Sequence, residues 1–183
     1  MGKLVIYTGP MKCGKTTQLI KSYQDEVNLG KRCFLFKPEL DNRFSSEEVV
    51  SRDGLSVSAI NITRIDDIER YGFIGNSFFI DEFQFLGGDI NVILNLLDKN
   101  KSVYVSGLNL TSDRTVFGLM GHIMPYANEI HILTGNCDNC NKLNAGVYTY
   151  CKTEKSSDIL VGDTEYMCVC PSCYKELTNQ RCI

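Results

Sequence analysis

Residues 9–16 read Gly-Pro-Met-Lys-Cys-Gly-Lys-Thr, which satisfies Gly-x-x-x-x-Gly-Lys-[Ser/Thr], the Walker A phosphate loop. The chemistry such a loop can do is local. Two glycines let the backbone wrap a phosphate, successive N–H groups point inward, and the following helix start adds positive potential. Gly9, Pro10, Met11, Lys12, Cys13, Gly14, Lys15 and Thr16 are therefore expected to contact a nucleotide. Lys15 is placed to reach the terminal phosphates and the Thr16 hydroxyl to hold Mg²⁺. Downstream, residues 78–82 read Phe-Phe-Ile-Asp-Glu, apolar residues ending in acid, a Walker B pattern in which Asp81 shares the Mg²⁺. Glu82 follows directly. Alternation along a strand would point the two carboxylates to opposite faces, leaving Glu82 to accept a proton from water or from a substrate hydroxyl.

A second cluster carries sulfur. Cys137-x-x-Cys140 and Cys170-x-x-Cys173 are two chelating pairs, and two such pairs complete a tetrahedral Cys₄ zinc site with no open position, hence a structural one. Cys151 and Cys168 lie in the same stretch, so the ligand set is not forced; Cys168 reads as packing. A thioredoxin-like role needs one pair in another setting. A zinc deaminase needs a His-x-Glu motif, which is absent.

These groups need elements to hold them. Residues 4–7 form a short β-branched run, a buried strand, and Leu19, Ile20, Tyr23 and Val27 fall at helical spacing before Gly30, a helix stop. Further strands are expected at residues 32–37, near 49–51, 57–60, 78–82, 102–107 and 129–133. A short helix is expected at 66–70. A longer one is expected over 88–100, capped by Asp89, with Ile90, Ile93, Leu94 and Leu97 on one face. Strands alternating with helices imply an α/β fold with a mostly parallel sheet. Composition changes at residues 135–136, where six of the nine cysteines begin, so residues 1–135 read as a nucleotide-binding domain and 136–183 as a small zinc-binding one.

The 183 residues carry a formal charge of −3, which argues against a surface that grips nucleic acid. No apolar run approaches the ~20 residues of a membrane span, and residues 1–3 lead straight into a strand with no signal peptide. An odd cysteine count beside a phosphate loop suits a reducing, cytoplasmic setting.

Four segments then resemble one family. Gly9-Pro10-Met11-x-x-Gly14-Lys15-Thr16, Asp81-Glu82-x-Gln84-Phe85, Leu108-x-x-Thr111-x-x-Arg114-x-x-Phe117 and the paired Cys-x-x-Cys occur in the order and near the spacing of type II thymidine kinases. The resemblance spans nearly the whole chain. It implies a RecA-like P-loop sheet with a zinc-anchored lasso, and transfer of the ATP γ-phosphate to the 5′-hydroxyl of thymidine or deoxyuridine for DNA precursor salvage. By the resemblance, Glu82 is the general base, and Asp81, Glu82, Phe83 and Gln84 border the nucleotide. Arg43 lies near the transferred group, and Met11, Phe85, Leu108, Ser112 and Phe117 line the nucleoside pocket. The lasso runs through Thr149 and Ser157, Asp158, Ile159, Leu160 and Val161, and Tyr166 contacts substrate. Ser112 stands where many relatives carry phenylalanine, and Gly162-Asp163 replaces their Gly-Gly. A homotetramer and feedback inhibition by thymidine triphosphate are further implications. The competing reading is a P-loop ATPase whose zinc module binds another macromolecule.

Overall fold

The computed structural model describes residues 2–40, 48–153 and 164–180. Its framework is a six-stranded sheet in the order β5-β2-β6-β7-β1-β8, all neighbours parallel. The strands are β1 (Lys3–Thr8), β2 (Cys33–Pro38), β5 (Ile60–Ile62), β6 (Ser77–Ile80), β7 (Ser102–Gly107) and β8 (Glu129–Ile132). Between β2 and β5 stand β3 (Glu48–Val50) and β4 (Ser56–Ser58), a separate antiparallel pair. The helices are α1 (Lys15–Asn28), α2 (Asn91–Asp98), α3 (Met120–Ile123) and α4 (Pro171–Gln180), and a 3₁₀ segment covers Ile65–Tyr71. The remaining hairpin pairs β9 (Tyr148–Cys151) with β10 (Tyr166–Val169).

The central strands are apolar on both faces, as a covered parallel sheet requires. Alternation divides them into two cores. Leu4, Ile6, Phe78, Ile80, Val103 and Val105 face α2, α3 and the 3₁₀ segment. Val5, Tyr7, Phe79 and Tyr104 face Leu19 and Ile20 of α1. A third core, built from Cys137, Tyr150, Val169, Cys170, Cys173 and Tyr174, stands apart.

The helix after the phosphate loop ends as its glycine predicts. Gly30 takes φ 76°, its N–H donates to the Val27 carbonyl at 2.9 Å, and the Lys31 N–H reaches the Glu26 carbonyl at 3.2 Å, a Schellman closure. The buried face differs from the periodic reading, however. Val27 is 44% exposed and Glu26 is buried in its stead, because β6 and β7 offer polar partners there. Lys31 Nζ donates to both Glu26 carboxylate oxygens at 2.8 Å, and the Ser77 hydroxyl donates to one of them. Burial alone would raise the Glu26 pKa. The Lys31 and Ser77 hydrogen bonds to its ionised form outweigh that and hold it below its ordinary value. A depressed folded-state pKa means a contribution present above the unfolded carboxylate pKa and lost as pH falls through the folded one. Glu26→Gln should therefore lower stability at pH 7 by about 1–3 kcal/mol and flatten the loss of Tm below about pH 4.5. Thermal unfolding across pH checks this; equal acid slopes in both proteins would remove Glu26 from the account.

Two further readings are corrected. The strand expected over residues 57–60 is two elements, β4 closing onto β3 and β5 adding to β2, with Ala59 between them. Pairing partners decided this, not propensity. The helix expected over residues 88–100 runs Asn91–Asp98, and it buries Val92, Ile93 and Leu96. Ile90, Leu94 and Leu97 are only partly buried, since the sheet meets the helix about one position round from the predicted stripe. The N-cap is Ile90 and not the expected Asp89, whose Oδ1 accepts from the Asn91 N–H at 3.0 Å just ahead of the helix. Among the described residues no helix is long and apolar enough to cross a membrane.

Candidate active site at the strand ends

In an open parallel sheet, side chains at the carboxyl ends of adjacent strands converge. β1, β7 and β6 are neighbours, and their register sets Thr8 beside Gly107 and Ile80 beside Val105. The residues just beyond therefore share one edge: the loop after Thr8, Asp81 after Ile80, and Ser106 to Leu108.

The loop of residues 9–14 leaves β1 through backbone that its sequence suits. Gly9 sits at φ 138°, and a Cβ there would meet the Leu133 carbonyl oxygen at 2.3 Å, so a side chain is excluded. Gly14, at φ 84°, occupies the N-cap of α1. Lys15 is buried, with Nζ donating to the Pro10 carbonyl at 2.7 Å across the loop. The Thr16 hydroxyl donates to Asp81 Oδ2 at 3.1 Å, and the Ser106 hydroxyl donates to Asp81 Oδ1. Thus Thr16 and Asp81, 65 residues apart, meet as hard oxygen donors suited to Mg²⁺. Ser106 had no motif to announce it; only its place at a strand end could have. Next to Thr16, the Thr17 hydroxyl donates to Asp53 Oδ2 at 2.7 Å, which ties the β3–β4 turn to the start of α1.

Glu82 diverges from Asp81, but not by strand alternation. β6 ends at Ile80, and Glu82 takes a left-handed conformation (φ 48°, ψ 42°) that opens a 3₁₀ turn over Phe83–Phe85. Non-glycine residues adopt that region at a cost and persist there only when the surroundings impose it. The next side chain, Phe83, is wholly buried in the core, so it can offer a nucleotide only main-chain atoms. Gln84 is buried as well, and its Nε2 donates to Glu82 Oε2 at 2.5 Å while its Oε1 accepts from the Leu108 N–H at 2.9 Å.

The residues expected to line a nucleoside pocket fall around this edge. Met11 and Leu108 are buried, and Phe85 and Phe117 meet edge to face at 5.5 Å. Ser112 sits in the intervening loop and presents its carbonyl, not a ring: Tyr174 Oη donates to the Ser112 carbonyl at 2.7 Å. Arg114 lies over the Tyr174 ring at 4.8 Å and the Tyr148 ring at 5.6 Å. Tyr166 is half-buried at the start of β10. Arg43, Ser157, Asp158, Ile159, Leu160 and Val161 lie outside the described residues.

The four cysteines of the two Cys-x-x-Cys pairs bring their sulfurs within 4.8 Å of one another. Burial disfavours a Cys137 thiolate, but N–H groups of Cys140, Cys170 and Asn139 turn toward its sulfur and lower its pKa. The Cys170 N–H reaches it at 3.3 Å. Such donors favour thiolate and suit zinc. Cys168 faces elsewhere: burial, then the nearby Asp138 charge, push its thiol up to about 11, and a Cβ on Gly135 or Gly146 would meet its sulfur at 2.8 or 2.3 Å. It is packing, as its spacing suggested.

The cysteine segment is fastened to the phosphate loop. Thr149 Oγ1 accepts from the Met11 N–H at 3.0 Å in a buried contact, and Lys12 Nζ pairs with Asp138 Oδ2 at 3.0 Å. Asp138 Oδ2 also accepts from the Cys168 N–H, and the Asp138 N–H donates to the Cys168 carbonyl. Lys12, expected at a nucleotide, is thus paired across to the second cluster.

A family model described as thymidine kinase matches residues 2–174. A protein named thymidine kinase from Pseudothermotoga lettingae is 34% identical over 183 residues, covering 98% of both chains. One so named from Mycoplasma mobile is 33% identical over 183 residues, covering 98% of this chain and 90% of its own. Another from Thermococcus kodakarensis is 38% identical over 152 residues, covering 77% and 75%.

Proposed function

The chain belongs to the thymidine kinase family, and on that premise we propose that it transfers the γ-phosphoryl group of ATP to the 5′-hydroxyl of thymidine or deoxyuridine, yielding the 5′-monophosphate for DNA precursor salvage. The observation that carries the reading is the shared strand edge. A phosphate loop with its lysine and threonine follows β1, while a carboxylate touching that threonine and a second carboxylate on left-handed backbone follow β6, and the two strands flank β7.

In this reading the loop N–H groups and Lys15 neutralise the phosphates and keep the γ-phosphorus in line with the acceptor. Thr16 and Asp81 hold Mg²⁺, which supplies charge stabilisation on the phosphate oxygens. Glu82 takes the proton of the 5′-hydroxyl as the oxygen–phosphorus bond forms; the bond to the bridging oxygen breaks, and ADP leaves with that electron pair. Met11, Leu108, Phe85 and Phe117 form the apolar slot for the pyrimidine. Residues 1–135 act as the kinase domain. Residues 136–183 form a lasso domain in which Cys137, Cys140, Cys170 and Cys173 hold a structural zinc, and Thr149 and Tyr166 flank the nucleoside. A homotetramer, inhibition by thymidine triphosphate and a cytoplasmic location complete the reading.

The test is a coupled assay with ATP, Mg²⁺ and a panel of nucleosides. ADP release that depends on thymidine or deoxyuridine, with monophosphate formed in equal amount, is the expected result. Turnover that is indifferent to nucleoside would replace the kinase by an ATPase.

A further inference from the structure

Gln84 occupies the middle of the 3₁₀ turn that follows Glu82 and is 3% exposed. Its amide has one orientation available. The Leu108 N–H is a fixed donor 2.9 Å away, so the end facing it must be the acceptor Oε1. That leaves Nε2, a donor, against Glu82 Oε2 at 2.5 Å. Two glycines leave room for this arrangement. A Cβ on Gly107 would come within 2.5 Å of Gln84 Oε1, and one on Gly118 within 2.3 Å of the Gln84 carbonyl oxygen. The amide is therefore clamped on one side by backbone and on the other by the carboxylate.

We propose that Gln84 is a positioning residue: its amide ties the Glu82 carboxylate to the Leu108 main chain, fixing the base relative to the strand end from which the nucleoside-pocket loop departs. The inference rests on Glu82 being the base. Glu82 is itself in left-handed backbone just beyond the end of β6, and a hydrogen bond from a buried amide fixes where its carboxylate lies. The Leu108 N–H is the fixed end of that tie.

Two substitutions separate this role from packing. Gln84→Glu keeps the shape and an acceptor for Leu108 N–H but sets a carboxyl group against Glu82. Gln84→Met keeps the length, adds no charge, and removes both polar ends. Each is expected to lower kcat by roughly 10- to 100-fold with KM for thymidine and ATP within about twofold, since misplacing a catalytic group by about 1 Å has such a cost. Combined with Glu82→Gln, neither should lower kcat by more than about another twofold, because Gln84 acts only through that carboxylate. Losses that multiply in the double variants, or single variants that retain kcat, overturn the proposal. If Glu82→Gln itself keeps full kcat, the base assignment has failed instead, and the two failures are told apart.

Discussion

Glu82→Gln is expected to lower kcat by ~10²-fold or more while leaving ATP affinity nearly unchanged. The substitution is close to isosteric, so the left-handed backbone and the buried Phe83 beside it are retained. Gln84 can still meet the new amide by turning little. What is removed is the capacity to take a proton from the acceptor hydroxyl, and each tenfold in rate corresponds to about 1.4 kcal/mol of transition-state stabilisation. In this reading ATP is held by the loop of residues 9–16 and the Thr16–Asp81 pair, whereas the Glu82 carboxylate meets the Gln84 amide. Steady-state kinetics together with equilibrium ATP binding make the check. An ATP affinity that collapses in step with kcat would show that Glu82 belongs to nucleotide binding and not to proton transfer.

The second large effect concerns the four thiols. Chelation, or Cys170→Ser, should remove one equivalent of zinc per chain and with it the folded state of the cysteine segment. A structural zinc contributes of order 10 kcal/mol, comparable to the whole stability of a domain, while the third core here consists largely of the ligands and three aromatic or aliphatic neighbours. The six-stranded sheet has two cores of its own and should persist, so far-UV circular dichroism changes only in part. Function should not survive as well as the sheet does. Loss of Thr149 leaves the buried Met11 N–H without its partner, and loss of Tyr174 frees the loop carrying Ser112. Thymidine turnover is expected to fall by more than ~10²-fold, since apolar slot and phosphate loop both lose a support. ATP affinity should fall less, because Gly9, Gly14 and Lys15 are held by β1 and α1. Metal analysis beside the kinetics decides it: full activity in zinc-free protein would leave the cysteines without a role.

Much of the site was legible because its signals are local. The phosphate loop, its strand and its helix lie within 30 consecutive residues, and glycine is demanded where φ turns positive at Gly9, Gly14 and Gly30. Cys-x-x-Cys spacing is likewise a property of a short segment, and two such pairs have few other uses. Val27 and Leu94 show the limit. Helical periodicity marks an apolar stripe to within about one residue, but the surface that meets it decides which members are covered, and Glu26 is buried where Ser77 arrives from a distant strand and Lys31 folds back from just past the helix end.

Chain order alone therefore determined a parallel α/β sheet, a phosphate-binding loop at the end of its first strand, an acidic strand end and a four-cysteine cluster. Tertiary structure decided how these are joined. Strand order brought Ser106 to Asp81, the strand end at Leu108 oriented Gln84, and the cysteine segment came to rest on Met11 and Lys12. The physical reason is range. Backbone conformation and side-chain period are set by neighbours a few residues away, whereas these contacts close loops of about 25 to 140 residues, and only packing of the whole core selects which distant partner each polar group meets.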